Sequence, residues 1–287
     1  MYPIILNHPI KIHSYGLFLA IAFAGAILFF IRELKKRGKS EDLGYDISFW
    51  VLLISLIGAR TLFIYVEWSR FAANPWVDIF LPGKIQIPFP AALAVWKGGL
   101  VYYGGLIGGI LAVVACSLLY GFSILEYGDY IAPGLVWGQL AGRIGCFLNG
   151  CCYGGPTAGF TGVIFPLSTK ISGSVCARHP TQLYSVAFFC LALFLVLKLL
   201  PKRPFHGAIF FGYTAVYSIW RFLIEFIRDD PRGGFFFPGF LPGPFIKGFS
   251  ISQCISILLF ILSLGILLKQ RFAGERLTIP EPENMEV

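Results

Sequence analysis

Charge is what this sequence has least of. Only 13% of its 287 residues are charged, and acids are the scarcer sign, 15 against 23 lysines and arginines. A soluble domain carries roughly 25% charged residues, so an ordinary soluble domain is excluded. Histidine is scarce too, four in all, and no pair stands at ligand spacing beside the seven cysteines. That argues against a metal centre, and no cofactor is implied. Internal repeats, low-complexity tracts and a separate soluble module are absent. The N-terminus lacks the basic stretch of a cleavable signal peptide, and its first apolar run continues into a full span.

What is present is hydrophobic. Apolar residues make up 56% of the chain, and the mean hydropathy is +0.74. Crossing a bilayer takes roughly 20 mostly apolar residues as a helix. Seven stretches qualify, at about 14–32, 47–66, 99–120, 131–149, 184–200, 206–227 and 250–268. The expectation is therefore an all-α integral membrane protein, one polytopic domain over 1–287 with seven transmembrane helices. Lysine and arginine set its orientation. Arg32, Lys35, Lys36, Arg37 and Lys39 follow the first span. Lys198, Lys202 and Arg203, then Lys269, Arg271 and Arg276, fall on the same side. This places the N-terminus outside and the C-terminus in the cytoplasm. The net charge of +8 is mostly that anchoring bias; the basic residues flank spans and form no nucleic-acid-binding face. Segments 67–98, 150–183 and 228–249 read as outer, interfacial arms and loops, and 277–287 as a polar, frayed tail.

Four ionisable residues interrupt the predicted spans: Arg60, Arg143, Arg221 and Glu225. Each costs at least about 2.5 kcal/mol at mid-bilayer, which makes each a functional candidate. Counted from the cytoplasmic side, the arginines lie roughly 18–22 Å in, the outer half of a core about 30 Å thick. Glu225 stands one helical turn beyond Arg221 and pairs with it, and Tyr213 and Tyr217 share that face. Arg60 and Arg143 have no acidic residue at their depth. They ask either for an anion such as a phospholipid phosphate, which a guanidinium grips bidentately, or for helix-end carbonyls. Tyr102, Tyr103, Gly104 and Gly105 open the third span, and His13 and Tyr15 open the first, all at that level. The glycines allow close approach of a lipid or of another helix.

Read together, the segments HSYGLFLA, GAR, WKGGLVYYGGLIGG, DYIAPGLVWGQLAGRIGCFLNG, RHPTQLY, YSIWRFLIEFIR and ISQCIS resemble the prolipoprotein diacylglyceryl transferase family through nearly the whole chain. The resemblance implies a bacterial inner-membrane enzyme with seven spans. Its lipid donor would be phosphatidylglycerol. Its acceptor would be the lipobox cysteine thiol of a preprolipoprotein signal peptide, with glycerol phosphate leaving and no nucleic acid involved. A monomer is expected. By resemblance, Arg143 is the lipid-binding arginine and Arg221 a second essential one, while Tyr15, Asn149, Tyr217 and Glu225 also match site positions. Gln182, within RHPTQLY, joins the substrate-binding set with Arg60, Gly104 and Gly105.

Two departures stand out. Family members commonly carry His where this chain has Tyr103; tyrosine is a poor resting base but donates a hydrogen bond. The base is then Tyr103, His179 or Glu225, although His179 also suits loop ordering and Glu225 simple pairing with Arg221. They also often carry Asn and Glu at the positions of Cys146 and Cys151. Cys146, Cys151, Cys152 and Cys176 belong to the outer side, where a Cys152–Cys176 disulfide, inert packing and thiol chemistry are the alternatives. A relative with another acceptor, and a non-catalytic anionic-lipid-binding protein, are the competing readings.

Overall fold

Inside a bilayer the backbone has only its own carbonyls to bond, so apolar runs become helices. The computed structural model describes residues 4–6, 12–81, 85–94, 99–165, 175–229, 235–236 and 248–272. Most of 228–249 and all of the polar tail 277–287 lie outside the described residues. Helices α1 (Ser14–Lys35), α2 (Glu41–Val66), α3 (Trp68–Ala73), α4 (Tyr102–Tyr120), α5 (Ile124–Asn149), α6 (Thr181–Leu199), α7 (Ala208–Ile224) and α8 (Ile251–Phe272) follow in chain order. Five segments are long and apolar enough to cross a membrane: 14–35, 41–66, 102–120, 181–202 and 251–272. The other two expected spans fall on α5, which carries Glu126, Asp129 and Pro133, and on α7, of only 17 residues.

The all-α expectation describes the frame, but the connections also hold short strands. Antiparallel pairs join β1 (Ile4–Leu6) to β2 (Ile12–His13) and β3 (Trp76–Leu81) to β4 (Ile85–Pro90). Two more join β5 (Val163–Ile164) to β6 (Ala177–Arg178) and β7 (Phe235–Phe236) to β8 (Phe249–Ser250). The expected arm 67–98 thus contains α3 and the β3–β4 hairpin, in which Trp76 pairs with Pro90 and Leu81 with Ile85.

The chain forms two compact units, 34–124 and the remainder. In the first, α2 and α4 meet backbone to backbone. A Cβ on Gly104 would overlap the Gly58 carbonyl, and one on Gly108 would lie 2.6 Å from the Ile54 oxygen. Glycine is needed here for approach, as in small-residue interfaces of membrane helices.

In the second unit α5 is the central element. Ala132, Val136 and Leu140 on α5 share one core with Phe189, Ala192 and Val196 on α6 and Ile209 and Tyr213 on α7. Asp129, fully buried on α5, caps the start of α7 by accepting from the N–H groups of Gly207 (2.8 Å), Ile209 (2.9 Å) and Phe210 (2.9 Å). Arg203 adds an ion pair at 3.2 Å. A carboxylate at a helix N-terminus satisfies orphan N–H groups and the positive end of the dipole together. On its other side α5 meets α1 through small residues: a Cβ on Gly134 would lie 2.6 Å from the Ala26 oxygen, and one on Gly145 2.9 Å from the Phe18 Cβ.

Candidate functional site

The end of α5 is built by its own sequence. Gly150 takes the left-handed conformation (φ 75°) that ends helices. Its N–H bonds the Phe147 carbonyl and the Cys151 N–H reaches back to the Cys146 carbonyl, each at 3.1 Å. This pair of bonds is the Schellman arrangement, which brings together the side chains three residues before and two residues after the cap, here Cys146 and Cys151. Cys152, also left-handed at φ 64°, turns its thiol onto the same spot. The three sulfurs lie within 4.8 Å of one another. All seven cysteines are free, so the Cys152–Cys176 disulfide is not formed; Cys152 faces Cys146 and Cys151 instead. Hydrogen bonds from those two thiols, then the nearby Arg228 and Arg143 guanidiniums, hold the Cys152 thiol well below the ordinary cysteine range. Asn149, the last residue of α5, hydrogen-bonds Cys151.

RHPTQLY is the clamp on this loop. Gln182 Nε2 donates to the Cys151 carbonyl at 2.5 Å, and Thr181 Oγ1 to the Cys152 carbonyl at 2.6 Å. Arg178 binds Asp229 at 2.8 Å and lies over the Tyr153 ring at 5.1 Å. The His179 backbone pairs with Gly154 and Gly155, and its Nδ1 lies 3.1 Å from the Tyr184 hydroxyl, which in turn meets Thr161. The loop is also stitched to the end of α7, where the Gly155 N–H bonds the Ile227 carbonyl at 2.8 Å.

Arg143 stands on α5 one turn before Cys146. Among the described residues it has no hydrogen-bond or ion-pair partner, and it acts electrostatically on Tyr15 and Cys152. Tyr15 lies beside Gly145, where a Cβ would make ordinary contact with its ring at 3.6 Å.

Arg221 is held differently. Its Nη1 pairs with Glu225, and its Nη2 donates to Ser252 Oγ at 2.8 Å. The other Glu225 oxygen accepts from Ser250 Oγ at 2.9 Å. Ser250 is fixed by a capping box opening α8: its N–H donates to Gln253 Oε1 (2.9 Å), and the Gln253 N–H donates to Ser250 Oγ (3.2 Å). Tyr217 stacks between Phe189 and Tyr213, with ring centroids 6.2 and 6.1 Å away, and the Tyr213 hydroxyl donates to Gln139 at 2.6 Å.

The remaining expected residues lie in the 34–124 unit. Arg60, 7% exposed, spends its guanidinium on carbonyls: Ala91 at 2.6 Å, Ala92 at 2.7 Å, Gly99 at 3.0 Å and Ala94 at 3.3 Å. It lies over the Phe63 and Phe71 rings and lines a cavity of about 280 Å³ with Arg70, Asn74 and Trp76. Carbonyls are one of the two kinds of partner expected for it. Gly104 is consumed by packing against Gly58, while a Cβ on Gly105 would make only ordinary contact, 3.5 Å from the Ala59 Cβ. Tyr103 opens α4 half-exposed, edge-on to Tyr102 at 5.7 Å.

Ser250, Ser252 and Gln253 were not among the expected site residues. Their signal was present, since Ser-x-x-Gln ahead of an apolar run is a capping box. Arg178, Thr181 and Asp229 carried no comparable local signal.

Several apolar helices long enough to cross a bilayer, with one arginine unpaired among the described residues and another held by a carboxylate, define a multi-pass membrane protein. The profile of the family described as prolipoprotein diacylglyceryl transferase matches residues 3–269. The chain is 37% identical to phosphatidylglycerol–prolipoprotein diacylglyceryl transferase 2 of Clostridium perfringens, over 90% of each chain. It is 30% identical to the transferase of the same name, without the numeral, from Clostridium tetani, over 92% of this chain and 95% of that one. The corresponding protein of Pseudomonas paraeruginosa is 34% identical over 81% and 82%. The chain belongs to the prolipoprotein diacylglyceryl transferase family.

Proposed function

We propose that this chain transfers the diacylglyceryl group of phosphatidylglycerol to the lipobox cysteine thiol of preprolipoproteins, from a seven-span position in a bacterial inner membrane with its N-terminus outside. The acceptor sulfur attacks the glyceryl carbon bearing the phosphate. The carbon–sulfur bond forms as the carbon–oxygen bond breaks, glycerol phosphate leaves with the electron pair, and the thiol proton passes to a base. The protein acts as a monomer, with no cofactor.

Arg143 carries this reading. It is a guanidinium without a hydrogen-bond or ion-pair partner among the described residues, on a helix of a membrane protein. Its role is to grip the phosphate and stabilise the leaving group, where an aimed charge in a dry site is worth most. Arg221, aimed by Glu225 and Ser252, supplies a second positive group. Tyr15, Asn149 and Tyr217 line the donor site, and Gln182 holds the loop beside it. His179 and Glu225 are engaged with Tyr184 and with Arg221 and Ser250, which leaves Tyr103 as the favoured proton-handling group. Arg60 and Gly104 serve the packing around α2 and α4, and Gly105 borders the same face.

The test is a mass-shift assay on a lipobox peptide with phosphatidylglycerol vesicles, beside complementation of a transferase-depleted strain. Arg143→Ala should abolish transfer without loss of the folded protein. Arg143→Lys should remain severely impaired, because a point charge does not reproduce the bidentate fork. Normal turnover by the lysine variant would remove the clamp from the mechanism. Tyr103 and the cysteine run favour a second reading, a different acceptor; an unmodified lipobox peptide with an intact strain-level lipid transfer to another thiol would select it.

A further inference from the structure

The three thiols at the end of α5 have no part in the transfer chemistry above, yet they are gathered by specific backbone devices. The Schellman cap joins Cys146 to Cys151, and the left-handed Cys152 delivers the third sulfur. Gln182 and Thr181 then lock the carbonyls of Cys151 and Cys152. A fortuitous cluster would have no need of a non-glycine residue at positive φ, which is uncommon and costs energy.

We propose that Cys146, Cys151 and Cys152 form a binding site for one thiophilic d10 cation, Zn²⁺ in the first instance, with a fourth position open to solvent or a nearby oxygen. Zinc–sulfur bonds of about 2.3 Å place tetrahedral ligands about 3.8 Å apart. Sulfurs already within 4.8 Å of one another reach that spacing by small side-chain rotations. Three soft sulfur donors select Zn²⁺ or Cu⁺ over the hard cations Mg²⁺ and Ca²⁺. All three cysteines are partly exposed, so an ion has a way in. Three thiolates with Zn²⁺ carry one net negative charge, and Arg143 and Arg228 are the electrostatic neighbours that offset it. The Oε1 of Gln182, on the side chain that holds Cys151, is buried and has no donor among the described residues. A water on the ion would supply one. No histidine pair marks this site in the sequence; the helix cap gathers the three thiols without one.

The experiment uses the full chain in detergent, reduced and stripped of metal, with Zn²⁺ titrated against a chelating indicator and Cd²⁺ as a spectroscopic probe of thiolate bonding. One ion per chain is expected, with sulfur-to-cadmium charge-transfer absorption and a rise in Tm. Cys146→Ser, Cys151→Ser and Cys152→Ser should each weaken Zn²⁺ binding by more than the roughly 10–100-fold that loss of an outer-shell partner costs. Cys176→Ser and Cys116→Ser should leave it unchanged. Zn²⁺ should also protect Cys146, Cys151 and Cys152 of the unaltered chain from alkylation, a readout that no misfolded variant can confuse. Absence of stoichiometric binding by the reduced protein, a disulfide between any two of the three thiols in protein taken from membranes, or binding retained by the triple serine variant would overturn the site. None of these readouts depends on lipid transfer.

Discussion

Arg221 and Glu225 stand four residues apart in one network of bonds: Arg221 to Glu225 and Ser252, Glu225 to Ser250, and Ser250 to Gln253. Removing Glu225 frees Arg221 to misorient and leaves Ser250 without its acceptor. A double-mutant cycle of Arg221→Ala and Glu225→Gln on transfer rate should therefore be non-additive by about 0.5–3 kcal/mol, the range for residues sharing one network. Additive losses would show that the pair acts independently. Tyr103 poses a different question, because a hydroxyl stands where the family resemblance implies an imidazole. Tyr103→Phe should lower transfer by roughly 10²–10³-fold, the size of one lost stabilising donor or proton-transfer group, with little change in lipid binding. Tyr103→His should retain activity. Parent-rate turnover by the phenylalanine variant would reduce the hydroxyl to packing.

Among the elements, α5 has the most to hold and the least apolar means of doing so. Its polar residues are assigned one by one: Asp129 to the start of α7, Gln139 to Tyr213, and Arg143 to the proposed phosphate. This explains why its composition is less hydrophobic than that of a lipid-facing span, since polar groups in a bilayer must face protein partners. Asp129→Ala strips three N–H groups and Arg203 of one shared acceptor. Loss of one partner from a buried ion pair costs about 3–5 kcal/mol, so the variant should show a clear fall in Tm in detergent. Transfer per folded molecule should be nearly unchanged, as Asp129 lies at the opposite end of α5 from Asn149. An unaltered Tm would show that α7 does not depend on this cap.

For the whole molecule, the proposed orientation predicts labelling. Single cysteines at Lys36 and Lys202, in a background retaining Cys146, Cys151 and Cys152 blocked beforehand, should be reached by impermeant thiol reagents only after the inner face is opened. A cysteine at Ala158 should be reached in intact cells. Reversal of that pattern would invert the topology. Much of this architecture is legible in the linear chain, because a bilayer reads composition over about 20 residues and ignores distant contacts. The long apolar runs 14–32 and 47–66 therefore anticipate α1 and α2, and a four-residue spacing on one helix anticipates the Arg221–Glu225 pair. The short strands escape because two-residue ladders leave no periodicity. Partners distant in sequence escape for another reason. Arg60 meets Ala91 across 31 residues, and Gln182 meets Cys151 across 31. Hydropathy and spacing identify which groups need a partner, since burial makes an unmet donor costly. Only the packed chain decides which carbonyl, carboxylate or thiol arrives, because that choice rests on ångström-scale approach: Gly58 against Gly104, Gly145 against Phe18, and a left-handed turn that sets three sulfurs side by side.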